Sequence, residues 1–518
     1  MHLLYCELTM RKWVLATGAA ALVCGSTLMA FYSGGFFDRP RVVGALIVWG
    51  GVLVAALVAP RPLPRSTAGR VALAGLALLC VWTGLSIMWA PIGGRAQDDL
   101  QRLVLYVGFL ILALALVRGK DARRWLEPGL ALGAFVIVAY ALSERLLPGL
   151  VELSRSRAAH GRLEQPLTYW NALGIVAAVG SVLAVRIAGT PGRPAALRAG
   201  AAAIGVPLLL GTYLTYARGA LAALAVGMVV LLALAPAGRE QLRAIVLIVA
   251  GGCVAALVAS NLHGIKSLEL RQEGNTQDGL IMLGVLVALS ALVAIAVLRA
   301  PRLRLPAFEL PVSRPRLVLA ASVLVVVAAG VTVAAFDGKP KVTSPQTKAD
   351  PARLGSVDTN RYRYWEVALR SFGDNPVAGL GSGGFAVAWL KEKDRVDKSG
   401  DAHSLYLETA GELGVVGLVF LFMFLGGIAA GAVQLARLDR GAATGVVAGL
   451  AAWACHAGLD WDWEMPATTM PALLLAAAAI AWSEELAEEP VEERQAAPVP
   501  QPLQRADAVP AAGSARLG

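Results

Sequence analysis

The chain has 518 residues, 57% of them hydrophobic and only 16% charged, with a mean hydropathy of +0.63. Soluble domains carry about 25% charged residues, so the composition excludes a soluble globular protein and selects a membrane one. The formal net charge of +10 does not read as nucleic-acid binding. The basic residues fall in short gaps between apolar runs, which is the positive-inside pattern of a membrane protein.

From the N-terminus, Arg11 and Lys12 stand before an apolar run that has the outline of a signal peptide. The run is about 20 residues long and no A-x-A site follows it, so a retained first helix is expected. In all, apolar runs lie near 13–32, 42–59, 71–90, 100–117, 128–147, 167–187, 197–216, 219–236, 242–260, 278–298, 317–336, 405–434, 442–459 and 467–483. Each can cross about 30 Å of hydrocarbon, which predicts about fourteen transmembrane helices. The expected fold is an all-α polytopic membrane protein. Transmembrane helices fill 1–336, and a large extracytoplasmic loop with short interfacial helices fills 337–404. Further spans fill 405–483, and 484–518, acidic and then Pro/Ala-rich, is expected to be a disordered cytoplasmic tail.

Arg11/Lys12, Arg61/Arg65/Arg70, Arg118/Lys120/Arg123/Arg124, Arg186/Arg193/Arg198, Arg239/Arg243, the arginines of 299–316 and Arg437/Arg440 occupy every second gap. Set in the cytoplasm, they put both termini there and turn the gaps 33–41, 91–99, 148–166, around 217, 261–277, 337–404 and 460–466 outward. Arg155, Arg157 and Arg162 depart from the bias. The five cysteines form no CxxC and the five histidines no HxH or HxxxH spacing. Neither a disulfide framework, a protein-bound metal nor another cofactor is indicated.

The longest polar interruption runs from Asn360 to about Phe420. Helical spacing over Asn360–Phe372 puts Arg361, Trp365, Ala368, Leu369 and Phe372 on one stripe and Arg363, Glu366 and Arg370 on the other. Arg361 is thus placed on the apolar face. His403 stands where the chain re-enters the membrane, on a predicted helical face with Tyr406, Leu407, Ala410, Gly411 and Gly414, with Glu408 and Glu412 turned away. A neutral imidazole there can act as a base near neutral pH.

Arg218, in LTYARGALAAL, enters a span, where an ionisable residue is by default functional or paired; its planar fork suits phosphate oxygens. Gly379, Gly381, Gly383 and Gly384 lack the following Lys-Ser/Thr of a P-loop. They read as a tight turn, with backbone N–H groups beside a phosphate as the sharper alternative. Asp460, Trp461, Asp462, Trp463 and Glu464 read first as an interfacial belt and second as a sugar site. Asn171, in PLTYWNALG, bonds across helices or touches substrate.

These residues carry a resemblance. RYRYWEVALRSFGDNPVAGLGSGGF followed by DAHSLYLETAGELGVVGL resembles the signature region of the O-antigen ligase/polymerase-like membrane family. That family places an Arg four residues before a Trp, then a Pro/Gly turn, then H-S-x-Y-L-x-x-x-x-E-x-G at a helix start. PLTYWNALG and TYARGA are weaker echoes. Ala217 stands where the family usually has Ser, and the Pro-to-Asn gap is longer here.

The resemblance implies a metal-independent, inverting glycosyltransferase acting at the outer membrane face. Its donor would be an undecaprenyl-pyrophosphate-linked glycan and its acceptor a glycan, lipid or protein hydroxyl. His403, Arg361 and Arg218 are the expected catalytic residues. Asn171, Trp365, Gly381, Gly383, Tyr406 and Asp401 are the expected substrate contacts. Membrane lipids are expected partners and nucleic acid is not. Two other classes compete: a secondary transporter of an anionic solute, and a non-catalytic scaffold in polysaccharide export. Carriers bind near the midplane, whereas the polar residues here cluster at one boundary.

Overall fold

A computed structural model describes residues 2–268, 275–299, 361–393 and 399–489, with side chains from residue 13 onward. The described residues form helices and turns with no strand, as a chain that must satisfy its own backbone within a bilayer requires. In chain order the helices are α1 His2–Ala30, α2 Asp38–Val58, α3 Thr67–Ser86, α4 Gly93–Leu116, α5 Gly119–Leu146, α6 Trp170–Ala188, α7 Ala195–Leu214 and α8 Arg218–Leu234. There follow α9 Gly238–Asn261, α10 His263–Lys266, α11 Thr276–Arg299, α12 Arg361–Asp374, α13 Phe385–Glu392, α14 Leu405–Leu438, α15 Arg440–Ala457 and α16 Pro466–Glu488.

Eleven of them are long and apolar enough to cross a membrane, and α8 is apolar but shorter. Every predicted run inside the described residues coincides with a helix. The run at 317–336, the linker at 299–316 beyond Arg299, and residues 337–360 of the predicted loop lie outside them. α12 and α13 are the short helices of the part of that loop that is described.

The helices α6 and α16 form the centre, each with 94% of its apolar window buried within the protein. Small residues let the outer helices close on them and on each other. Where α3 crosses α14, a Cβ on Gly75 would stand 2.4 Å from the Phe424 amide nitrogen, and one on Gly427 2.5 Å from the Ala68 carbonyl oxygen. Only glycine admits backbones this close, and close approach is what holds helices together when lipid removes the hydrophobic drive.

The gaps separate into two ends, as the arginine alternation requires. At one end the arginine-rich gaps bond to one another. Arg193 reaches Glu127 at 2.6 Å, Arg186 the Gly441 carbonyl at 2.6 Å and Arg440 the Ala233 carbonyl at 3.0 Å. At the other end Phe36 lies 5.5 Å from Trp461 between ring centroids, the Leu163 amide donates to Leu214 O, and Ser382 N–H donates to Ser86 Oγ at 3.1 Å. The arginines that departed from the bias are used here. Arg155 pairs with Glu144 at 2.9 Å, and Arg162 lies over the Trp170 ring at 3.6 Å while its Nε–H donates to Ala159 O. Both are held by the fold.

One boundary is revised. The last helix does not stop at Ser483 but continues through the acidic run to Glu488. The acids are retained in helix because they are bonded. Glu484, buried, accepts the amides of Arg65 and Ser66 at 2.9 Å each, the Ser66 hydroxyl at 2.8 Å and Arg118 at 2.9 Å. It thereby caps α3 and ties it to the α4–α5 corner. Glu484→Gln removes the charge from these bonds and lowers stability by about 1–3 kcal/mol, to be read as a fall in thermal midpoint of the purified protein.

Candidate active site

The site is built at the second end by a loop from each part of the chain. α12 docks through Tyr364, Val367, Ala368 and Ser371, with Tyr364 edge-on to Trp389 of α13 at 4.7 Å. This face is rotated from the predicted stripe: Leu369 is 52% exposed. An apolar side chain at a membrane boundary need not be covered by protein, so Leu369 did not mark the docked face. The opposite face carries the Arg363–Glu366 and Arg370–Glu366 ion pairs, as the spacing indicated.

Arg361, at the first turn of α12, reaches across to Asp460 in the α15–α16 loop and forms an ion pair. Asp460 is fully buried and does not belong to an interfacial belt. It accepts from Tyr169 Oη at 2.7 Å and from the Trp461 amide at 3.0 Å, and Asn171 Nδ2 donates to Tyr169 Oη at 2.7 Å. The chain Asn171–Tyr169–Asp460–Arg361 thus links α6, α12 and the last loop. Burial alone would raise the Asp460 carboxyl, but Arg361, His403, His456 and the Tyr169 hydrogen bond together outweigh it and hold the group below the ordinary carboxylate range. Burial alone would depress Arg361, and Asp460, Tyr169 and Asp462 together outweigh that in turn. The pair is ionised in both members.

His403 lies beside this chain. Its ring is 5.2 Å from that of Tyr364 and 6.2 Å from that of Trp461. It does not share a helical face with Tyr406. α14 begins at Leu405 with Ser404 as N-cap, and His403 precedes the cap at φ 56°. The left-handed backbone turns the imidazole out of the helix phase and toward the loop, a conformation that non-glycine residues adopt mainly where function holds them. Its Nδ1 donates to the Asp401 carbonyl at 3.1 Å, which leaves Nε2 as the basic nitrogen of the neutral ring. Burial lowers its pKa; Asp460 opposes this and Arg361 adds to it, and the net shift is downward.

Arg218 opens α8 at the same end, and its charge depresses the Tyr362 hydroxyl, although burial dominates that residue's shift upward. A cation in a first turn opposes the helix dipole, so helix stability does not account for it. Arg218, Arg361, His403 and Asn171 are therefore gathered at one end of the protein.

Other predicted contacts are placed differently. The Gly381 amide donates to Glu412 O at 2.8 Å, and the Gly383 and Phe385 amides donate to the Glu412 carboxylate at 2.9 Å each. These donors are spent within the fold, which corrects the expectation of a phosphate cradle there. Glu412 is buried against the turn and not turned away. The turn also repairs α14, whose helix breaks at Gly414 (φ 65°, ψ −162°). The Val415 amide finds Pro376 O at 2.8 Å, and Leu413 O accepts from Trp82 Nε1 at 3.0 Å. Trp365 packs on the α12–α13 core, 5.7 Å from Tyr362 between ring centroids. Tyr406 Oη donates to Ala454 O at 2.8 Å and holds α14 to α15.

Sequence reasoning missed Tyr169 and gave Asp460 and Trp461 to a belt. The signal available was a run of three acids entering a nearly uncharged segment, which a membrane tolerates only where they are paired. It also missed a dyad next to them, His456 Nδ1 to Asp462 Oδ2 at 2.5 Å, both residues buried.

Residues 280–422 match the family model described as O-antigen ligase. This segment includes α12, the glycine turn, His403 and the start of α14. That segment is similar to the O-antigen ligase family. A search of curated proteins finds no match to the chain. The chain around this segment is that of a polytopic membrane protein.

Proposed function

We propose that the protein transfers a glycan from an undecaprenyl-pyrophosphate-linked donor to an acceptor hydroxyl at the outer face of the membrane, with inversion and with no metal in the bond exchange. The observation that carries this reading is the gathering of a neutral His403 with the ionised Arg361–Asp460 pair into one largely buried cluster, beside Arg218, at the end opposite the arginine-rich gaps. His403 Nε2 takes the proton of the attacking hydroxyl. The new bond forms between that oxygen and the anomeric carbon as the carbon–phosphate oxygen bond breaks, and undecaprenyl pyrophosphate leaves with the electron pair. Arg361 and Arg218 stabilise the charge that develops on the leaving group. Asp460 fixes Arg361 and stabilises the imidazolium as it forms. Tyr169 and Asn171 hold Asp460, and Asp401 orients His403 through its carbonyl.

Purified protein in proteoliposomes tests the reading. Supplied with a lipid-linked glycan and an acceptor, it is expected to release undecaprenyl pyrophosphate and yield a joined glycan. Uptake of an anionic solute with no glycan product would overturn the proposal in favour of a transporter. The pH profile has a definite sign. The neutral imidazole is the active form and its pKa lies below the ordinary 6.5, so activity is level near neutrality and falls as pH drops through that lowered pKa. An inflection above 6.5 would exclude His403 as the base.

A further inference from the structure

A second polar cluster lies beside the first, and its carboxylates take no part in the proposed chemistry. One carboxylate oxygen from each of Asp401, Glu408 and Glu464 lies within 4.8 Å of the others. Asp99 and Glu412 stand close by, and Arg102 pairs with Glu464 and, at 2.5 Å, with Asp99. Glu412 is committed to the glycine turn, and one oxygen of Glu408 accepts the Ala402 amide at 2.8 Å. Arginine 102 alone does not balance this much carboxylate.

Two of the three acids, Glu408 and Glu464, line a cavity of about 40 Å³ together with Thr83, Asp99, Arg102 and Trp461, among others. That is space for a small ion and a water. Thr83 supplies an independent sign of an occupant. It lines the cavity, is 1% exposed, and its Oγ1 has no hydrogen-bond partner. A buried hydroxyl left so costs about 1–3 kcal/mol, a penalty that an occupant of the cavity would remove.

We propose that the carboxylate cluster binds one calcium ion at the edge of this cavity, on oxygens of Asp401, Glu408 and Glu464, with the Thr83 hydroxyl on the cavity side. The donor set is all oxygen, which selects a hard cation over zinc or copper. Calcium accepts irregular sets of oxygens at about 2.3–2.6 Å, which suits carboxylates whose positions the fold fixes, whereas magnesium requires about 2.0–2.1 Å and near-ideal octahedral geometry. The ion ties the turn before α14 to the α15–α16 loop. It holds the Asp401 carboxylate while the Asp401 carbonyl holds His403. It does not replace the arginines at the leaving group.

Trp461 and Trp463 both line the cavity, so terbium(III), a luminescent stand-in for calcium, reports binding directly. The full-length protein in nanodiscs is treated with chelator and titrated with terbium under tryptophan excitation. Saturable emission at one ion per chain is expected, displaced by calcium with a Kd of about 10⁻⁴–10⁻³ M or tighter and far less by magnesium. Glu408→Gln is expected to weaken binding by at least about tenfold, and Thr83→Val by a smaller factor. Absence of saturable emission in the wild-type protein, as would follow if protons alone neutralise the acids, overturns the proposal. So does emission unchanged in Glu408→Gln. Should that variant fail to fold, calcium's displacement of terbium from the wild type decides. The readout is binding, so its failure leaves the transfer reading standing, and failure of transfer leaves the ion site standing.

Discussion

Replacing Arg361 or His403 with alanine is expected to lower the rate of glycan transfer by about 10²–10³-fold each, the usual cost of one electrostatic or proton-transfer contact at the reacting atoms. Arg361 is delivered to the cluster by α12 and fixed there by Asp460, so the guanidinium is oriented before a donor arrives. Arg361→Lys keeps the charge but loses the planar fork and recovers only part of the rate. His403 is fixed by its own left-handed backbone and the Asp401 carbonyl. The measurement is the initial rate of purified variants with a lipid-linked glycan, alongside their thermal midpoints. Full activity in both alanine variants would remove these residues from the mechanism.

Asp460→Ala is expected to be the most destabilising single change in the site. It removes the partner of Arg361 and the acceptor for Tyr169 and the Trp461 amide. A partner charge left buried and unmatched costs about 3–5 kcal/mol, read as a large drop in thermal midpoint and in transfer. Asp460→Asn separates the electrostatic part from the packing. Its carboxylate favours the imidazolium, so the substitution moves the His403 pKa further down, while Arg361→Gln moves it up. Titration of the His403 ring by NMR reads both signs. Two shifts in the same direction would break the three-residue arrangement.

The sequence was most legible where one physical rule acted alone. Apolar length set the helices, and the alternation of arginines divided the gaps into the two ends that the fold brings together. Arg361 and His403 could be chosen because a cation on an amphipathic helix and an imidazole at a re-entry point are costly unless used. Legibility failed where a second element decided. The phase of α12 is set by the docking of Tyr364 on Trp389, which no periodicity within α12 contains. The left-handed turn at His403 and the break at Gly414 are invisible to a helical wheel, and so Glu408 and Glu412 were turned the wrong way. Asp460 is separated from Tyr169 by 291 residues, and its role depends wholly on that contact.

That separation also sets the order in which the protein can become competent during synthesis. The helices before α16 reach the membrane first, yet α16 itself, which fills the centre, and the loop carrying Asp460 and Trp461 leave the ribosome after every helix they pack against. Until then α6 lacks the helix that covers it in the finished protein, and Tyr169 and Asn171 have no acid to hold. A chain halted before Pro466 can be fully inserted and still lack the packed centre. Competence therefore arrives only with the last of these segments.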